Sequence, residues 1–247
     1  MFVLDQPEHF QIVLQPDHGR LAGEMAAAWA DRGPRHAAVV TAARRHDDGW
    51  GVWEQSPQVD AAGRPIAVLD VDIRSHLAFS RACIAAVGEE DAYAGLLVSM
   101  HGAGIYQHRY GTDAGLVMAG AAAAPDLVAA FIAEQESAFA ERAAALGVDD
   151  DLRWADYHRL QWFDRFSFAF GAREWDEPPA ETFALGEFTF EPLGPWRARV
   201  SPWPFAEREV RFTLPRRRFE RRAWTRAEFF EEFRAQAPEQ IGIVLED

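Results

Sequence analysis

The sequence predicts an α+β protein: a mainly helical body with short N-terminal strands over residues 1–172, then a β-rich part over residues 173–247 packed on it as one unit. Three observations point there. Through the first two thirds of the chain, apolar residues recur at spacings of three and four, the period of a helix face. After Gly171 the texture changes to short alternating runs divided by Pro and Gly. Apolar residues make up 49% of the chain, with 9 Trp and 18 Phe, enough for a sizeable core.

Taken in order, FVL at 2–4 and FQIVL at 10–14 suit an opening pair of short strands. Asp17 is a candidate N-cap for a helix running to about Ala30, with Leu21, Ala22, Met25 and Trp29 as its apolar stripe. His18 lies at the N-terminal end of that stripe. PRHAAVVTAARR at 34–45 predicts a second helix, with Pro34 in its first turn and Gly49 as a stop. His46 continues the face of Val39 and Ala42. The segment from Gly51 to Asp70, with Pro57, Gly63 and Pro65, is expected to be irregular and to lie beside the His46 turn as a lid or a packed surface loop.

Helices are then expected at Ile73–Val87 and Ala92–His101, the second ending its apolar face in His101 and closed by Gly102 and Gly104. A weakly specified helix over Asp113–Ala122 precedes a stronger one over Asp126–Leu146, ended by Gly147. The stretch Asp151–Phe170 is apolar nearly all round and reads as central. Asp164 shares a face there with Tyr157, Leu160, Gln161, Ser167 and Phe168, where a desolvated carboxylate needs a partner. Glu177-Pro178-Pro179 marks a boundary. Strands follow at Phe183–Glu191, Trp196–Val200, Arg208–Leu214 and Arg216–Trp224. A short helix is capped by Thr225 with Glu228, and a last strand runs over Ile241–Leu245.

Composition narrows the function. The net charge is −14, so no general nucleic-acid surface and no anionic-membrane surface is expected. The N-terminus lacks the pattern of a signal peptide, and no stretch is long and apolar enough to span a bilayer. The single Cys83 excludes an internal disulfide framework and thiolate zinc clusters, and suits a reducing cytoplasm. The run Arg216–Arg222 is expected to form a solvated strand face or a protected sheet edge.

The polar residues that fall on inward faces are His18, His46, Asp47, His101 and Asp164. Imidazoles and carboxylates of this kind suit Mn, Fe, Zn, Ni or Mg. Their order, H…HD…H…D, resembles the HD-domain metal phosphohydrolases, in which a His, an adjacent His-Asp and a later Asp hold a divalent ion. That resemblance implies an HD-like helical bundle with an antiparallel β extension. It implies His18, His46, Asp47 and Asp164 as metal ligands, with Asp48 and His101 positioning water or substrate. The Lys of the related HD-x-G-Lys pattern is replaced by Trp50, and Arg44, Arg45 or Arg109 could stand in for it. Convergence of the four ligand groups within about 5 Å is the structural test.

The segments QPDHGRLAGEMAAAW, RHDDGW, LLVSMHGAGIY, LQWFDRFSF and VSPWPF, in this order, resemble a bacterial family carried as domain of unknown function 3891. That resemblance spans nearly the whole chain and implies no reaction. Gln15 and Asp17 are candidates to orient His18, and Trp50 and Trp53 to line a substrate pocket. His9, His36, His76 and His108 are read as surface residues, and His158 as lying off the Asp164 face. The expectation is a metal-dependent phosphohydrolase acting on a small phosphate ester or nucleotide. The alternative is a non-catalytic metal- or ligand-binding protein with a degenerate HD-like fold.

Overall fold

The computed structural model describes residues 1–107, 118, 120–177 and 181–247. Its helices are α1 (Gln15–Ala28), α2 (His36–Arg45), the single turn α3 (Gly51–Glu54), α4 (Ile73–Glu90), α5 (Ala92–Ile105), α6 (Pro125–Ala145), α7 (Asp150–Gly171) and α8 (Arg226–Ala235). Its strands are β1 (Phe2–Asp5), β2 (His9–Val13), β3 (Phe183–Leu185), β4 (Phe188–Gly194), β5 (Arg197–Ser201), β6 (Glu209–Glu220) and β7 (Glu239–Glu246). The α+β class expected from the sequence is observed.

The strands form one seven-stranded sheet in the order β1-β2-β6-β7-β5-β4-β3. Neighbours run antiparallel except β5 and β7, which are parallel. The sheet therefore takes strands from both ends of the chain, with Phe10 opposite Phe219 where β2 meets β6. The expected opening strands are present as an antiparallel pair, and β2 joins them to the sheet of the C-terminal part.

Two expected strands are one. Arg208–Leu214 and Arg216–Trp224 merge into β6, which runs through Pro215. The first part of β6 pairs with β7, and its last part pairs with β2 from Arg217 onward. Pro215 stands opposite Gln240 on the β7 side, just before pairing with β2 begins. The change of partner accommodates a residue that has no N–H for the ladder. Arg216 is correspondingly no edge residue. It is only 1% exposed, and its guanidinium bonds Gln11 Oε1 at 2.9 Å, Glu239 at 2.9 Å and Asp176.

Helix α7 is the central helix that its all-round apolar pattern predicts; Tyr157, Leu160, Phe163, Phe166 and Phe170 are buried on it. It packs on α1, α2 and α5. Trp29, just past α1, links helices to sheet: its ring meets Phe163 and Phe166 of α7 and Phe188 of β4 at centroid distances of 5.0, 5.7 and 5.6 Å. A smaller core joins Met1, Phe10, Ile12 and Phe219 to Phe229 and Phe233 of α8. Thr225 and Glu228 form the expected capping box at the start of α8.

Several boundaries differ from expectation. α1 starts at Gln15, so Asp17 lies within its first turn and is not the N-cap. The Gln15 N–H is taken instead by the Glu54 carboxylate at 2.9 Å, a distant partner that local sequence does not disclose. Gly102 and Gly104 do not end α5, which continues through both to Ile105; they are buried inside it. The segment after Gly51 holds α3, a Val59–Pro65 bridge and a 3₁₀ turn at Val68–Asp70. Most of the expected Asp113–Ala122 helix, together with His108, Arg109, Pro178 and Pro179, falls outside the described residues. No helix among the described residues is long and apolar enough to cross a membrane.

Candidate metal centre

Two glycines bring the first two helices into contact. A Cβ built on Gly23 would lie 2.5 Å from Arg44 Cβ, and one on Gly19 would lie 3.0 Å from the Arg44 carbonyl oxygen. Their spacing of four places both on one face of α1, so its backbone approaches the end of α2. His18, beside Gly19, thus comes against His46, with ring centroids 5.2 Å apart. His46 ends α2 with helical backbone, and Asp47 leaves the helix at φ −115°, ψ 11°. Two residues turn later, a Cβ on Gly49 would fall 2.1 Å from the Phe79 carbonyl oxygen, so this turn against α4 requires glycine.

The four residues expected as ligands come together. His18 Nε2 lies 2.7 Å and His46 Nε2 3.2 Å from Asp164 Oδ1. Asp47 Oδ2 stands 3.8 Å from His18 Nε2 and 3.5 Å from His46 Nε2. His101 joins from α5, its ring 5.0 Å from that of His46. Two triads, His18–His46–Asp47 and His46–His101–Asp164, each place three ligand atoms within 4.8 Å of one another. His18, His46, His101 and Asp164 are buried, and Asp47 is partly open.

The outer bonds of the two imidazoles decide where their protons sit. His46 Nδ1 lies 2.8 Å from the Ala43 carbonyl, which can only accept, so Nδ1 carries a proton. The Ser167 hydroxyl donates to the Asp164 carbonyl oxygen at 2.9 Å and so accepts from His18 Nδ1, also at 2.9 Å. In their neutral forms both rings therefore turn an Nε2 lone pair toward the same carboxylate oxygen. Lone pair against lone pair at 2.7 Å is repulsive unless a proton or a cation lies between them. Asp164 Oδ2 is buried and has no hydrogen-bond partner among the described residues.

Electrostatics follow this geometry. Burial opposes charge on His46, but Asp47 and Asp164 outweigh it and raise its pKa to about 9. Burial likewise opposes charge on Asp164, yet His46 and His18 hold its carboxyl far below the usual range. Burial pushes His101 and His76 the other way, each down to about 4.

The remaining expected residues are placed differently. Asp48 is not brought into the cluster; its carboxylate takes the Arg45 guanidinium at 2.7 Å. Arg45 also pairs with Glu90, and the Arg44 stem packs on Gly23, so neither cation serves the cavity. Gln15 lines the cavity, whereas Asp17 faces Arg20. Trp50 lines it too, and Trp53 packs edge-on to Trp50 with centroids 6.1 Å apart. His158 is exposed and lies off the Asp164 face, while His9 and His36 are half-buried.

Two contributors were missed. Ser167 orients His18 in place of Gln15 or Asp17. His76, read as a surface residue, is buried and lines the cavity. Its signal was present: Ile73, His76, Leu77 and Ile84 fall on one helical stripe. The cavity measures about 40 Å³ between His18, Asp47, His76, His101 and Asp164 on one side and apolar groups such as Phe2, Leu69 and Phe168 on the other.

With this geometry in view, the chain belongs to the family described as "Protein of unknown function (DUF3891)", whose model matches residues 1–221. No curated protein and no solved structure matches it.

Proposed function

We propose that the protein is a metal-dependent hydrolase whose single divalent ion is held by His18, His46, Asp47 and Asp164, with His101 beside them. The observation that carries this reading is the pair of Nε2 atoms facing one buried carboxylate oxygen, with the other oxygen of Asp164 unpartnered among the described residues. A cation at their centre relieves both the lone-pair repulsion and the unbonded oxygen. The two triads share His46, whose Nδ1 is committed to Ala43, so one Nε2 serves one ion. A donor set of imidazoles and carboxylates favours Mn, Fe, Ni or Zn over Mg.

Bound there, such an ion would acidify water and polarise an ester. The protein's own part is to fix the ligands: Ala43 and Ser167 hold the two imidazoles in the tautomer that presents Nε2. The cavity has room for about three waters. It would accept the head group of a small phosphate ester or nucleotide and leave the rest of the molecule outside. The chain order that resembles HD phosphohydrolases, with His18 and Asp164 on helices and His46-Asp47 at the end of α2, supports the same class.

A second reading is a non-catalytic metal- or ligand-binding protein with a degenerate HD-like fold. It is favoured by the lack of any guanidinium lining the cavity among the described residues. Reconstitution with each metal, followed by a screen of p-nitrophenyl phosphate and nucleotides, separates the two. Turnover that needs the ion and disappears in a folded His46→Ala, Asp47→Ala variant supports the hydrolase. Stoichiometric ion without turnover supports the second reading.

A further inference from the structure

His76 has no role in holding the ion, yet it stands at the same cavity. It comes from α4, which packs against α5 and the turn after α2. Its residue is 4% exposed, and it lines both the main cavity and a narrower one shared with His46, Asp47, Ser80 and His101. The Trp50 ring lies 5.2 Å from its ring and the Tyr106 ring 5.7 Å away. Its Nδ1 is hydrogen-bonded to the Tyr106 hydroxyl. No other hydrogen bond engages the His76 ring among the described residues. A buried imidazole that lines a cavity, with one nitrogen tied and the other without a hydrogen-bond partner among the described residues, is an uncommon expense for a structural residue.

The bond to Tyr106 engages Nδ1. With the phenol hydroxyl as its donor, the remaining proton of a neutral ring lies on Nε2. Burial keeps the ring neutral at neutral pH, since it pushes the His76 pKa down to about 4. The cavity therefore combines a carboxylate-imidazole cluster on one side with a neutral N–H donor on another. Its remaining walls are Gln15, whose Nε2 is buried without a hydrogen-bond partner among the described residues, and apolar groups that include Phe2, Leu69, Ile105 and Phe168. A group suited to this space has a compact anionic oxygen for the ion and a second oxygen for the N–H.

We propose that His76 is the oxyanion-contacting residue of this cavity, donating from Nε2 to a phosphoryl-type oxyanion, and that Tyr106 is its positioning residue. This deepens the metal reading and rests on it. It assigns the recognition of the head group to a neutral donor, in place of the Lys or Arg that a phosphate site ordinarily recruits.

The test uses the full chain loaded with Co²⁺, whose visible spectrum reports changes at the ion, and inorganic phosphate as the probe. Wild type, His76→Phe, His76→Gln and Tyr106→Phe are first titrated with Co²⁺, then with phosphate. The expected result is equal Co²⁺ stoichiometry in all four. Phosphate should bind at least tenfold more weakly to His76→Phe, the loss of one hydrogen bond to a charged group. His76→Gln, which keeps an N–H donor, should recover most of that loss. Tyr106→Phe should weaken phosphate severalfold, and its effect should vanish in the His76→Phe background. Should His76→Phe not fold, Tyr106→Phe and His76→Gln carry the comparison. Phosphate binding that is absent from the Co²⁺ wild type, or unchanged across the folded variants, overturns the assignment while leaving the metal reading intact. Failure of wild type to bind Co²⁺ overturns both.

Discussion

Two of the buried clusters of charged groups in this molecule are settled in opposite ways. In the sheet, the Arg216 guanidinium sits over the Trp196 ring, with its centre 5.1 Å from the ring centroid, and its terminal nitrogens reach Gln11, Asp176 and Glu239. Burial raises the Asp176 carboxyl, but Arg216, the Trp196 N–H and Arg218 overcome that and hold it at about 2. Opposite charges meet, and the partners remain half open to solvent. Among the helices, two carboxylates face three imidazoles, one carboxylate oxygen has no hydrogen bond among the described residues, and two ring nitrogens point at a single oxygen. In the first cluster the guanidinium already meets carboxylates, although Arg216 Nε and Gln11 Nε2 lack hydrogen-bond partners among the described residues, and the cluster reads as architecture. The second is complete only when something positive is added, and that difference marks a binding site.

The comparison can be broken most directly at the sheet. Arg216→Met should cost roughly 3 kcal/mol in denaturant unfolding, the scale for removing one partner of a buried ion pair. It should leave metal binding unchanged. A neutral result would mean that the sheet cluster is not self-sufficient.

Metal linkage is the next largest effect. Divalent metal at about one hundred times its Kd should stabilise wild type by about 2.7 kcal/mol. The same addition should do nothing for folded Asp164→Asn and should act fully on Arg216→Met. Equal stabilisation of Asp164→Asn would place the ion elsewhere.

The pH dependence sharpens the contrast. His46 has its pKa raised from 6.5 to about 9. Its contribution to the metal-free fold is therefore complete below pH 6.5 and is lost as pH rises through 9. Metal must displace that proton, so apparent affinity should grow up to about tenfold per unit between pH 7 and 9. Titrations across that range, with proton release measured calorimetrically, check both signs. A flat affinity would show that His46 is not a ligand.

The smallest effect lies outside both clusters. Thr225→Ala removes the capping box of α8 and should cost about 1 kcal/mol, with no change in metal or phosphate binding.

How much of this was legible follows from the range of the interactions. The inward faces of α1, α5 and α7 follow from local periodicity, and they place His18, His101 and Asp164 on the core side of their helices. What periodicity does not carry is contact between distant segments. The Glu54 carboxylate at the start of α1 lies 39 residues from its partner, so Asp17 looked like the cap. Asp48 was grouped with Asp47 by adjacency, but the backbone change after His46 sends the two side chains to different partners. Pro215 read as a break because the change of strand partner on β6 is a property of the sheet. The alternating charges of Arg216–Arg222 read as a solvated face or a sheet edge, but Arg216 is buried where β6 changes partner. His76 was available from the Ile73–Leu77–Ile84 stripe; its meaning emerges only when α4 lies against the His46 turn. The expected HD-like bundle stays with the functional proposal, while the α+β class and the family membership over residues 1–221 stand on the sheet, the helices and the matched sequence.

The central claim is that the helical cluster is a metal site, and elemental analysis of protein purified without chelator or affinity-tag nickel tests it most directly. The prediction is close to one equivalent of Mn, Fe, Ni or Zn in wild type, absent from a folded His46→Ala, Asp47→Ala double variant. Metal-free wild type that also fails to take up any of these ions on reconstitution would contradict it, and would make His18, His46 and Asp164 a protonated hydrogen-bond cluster.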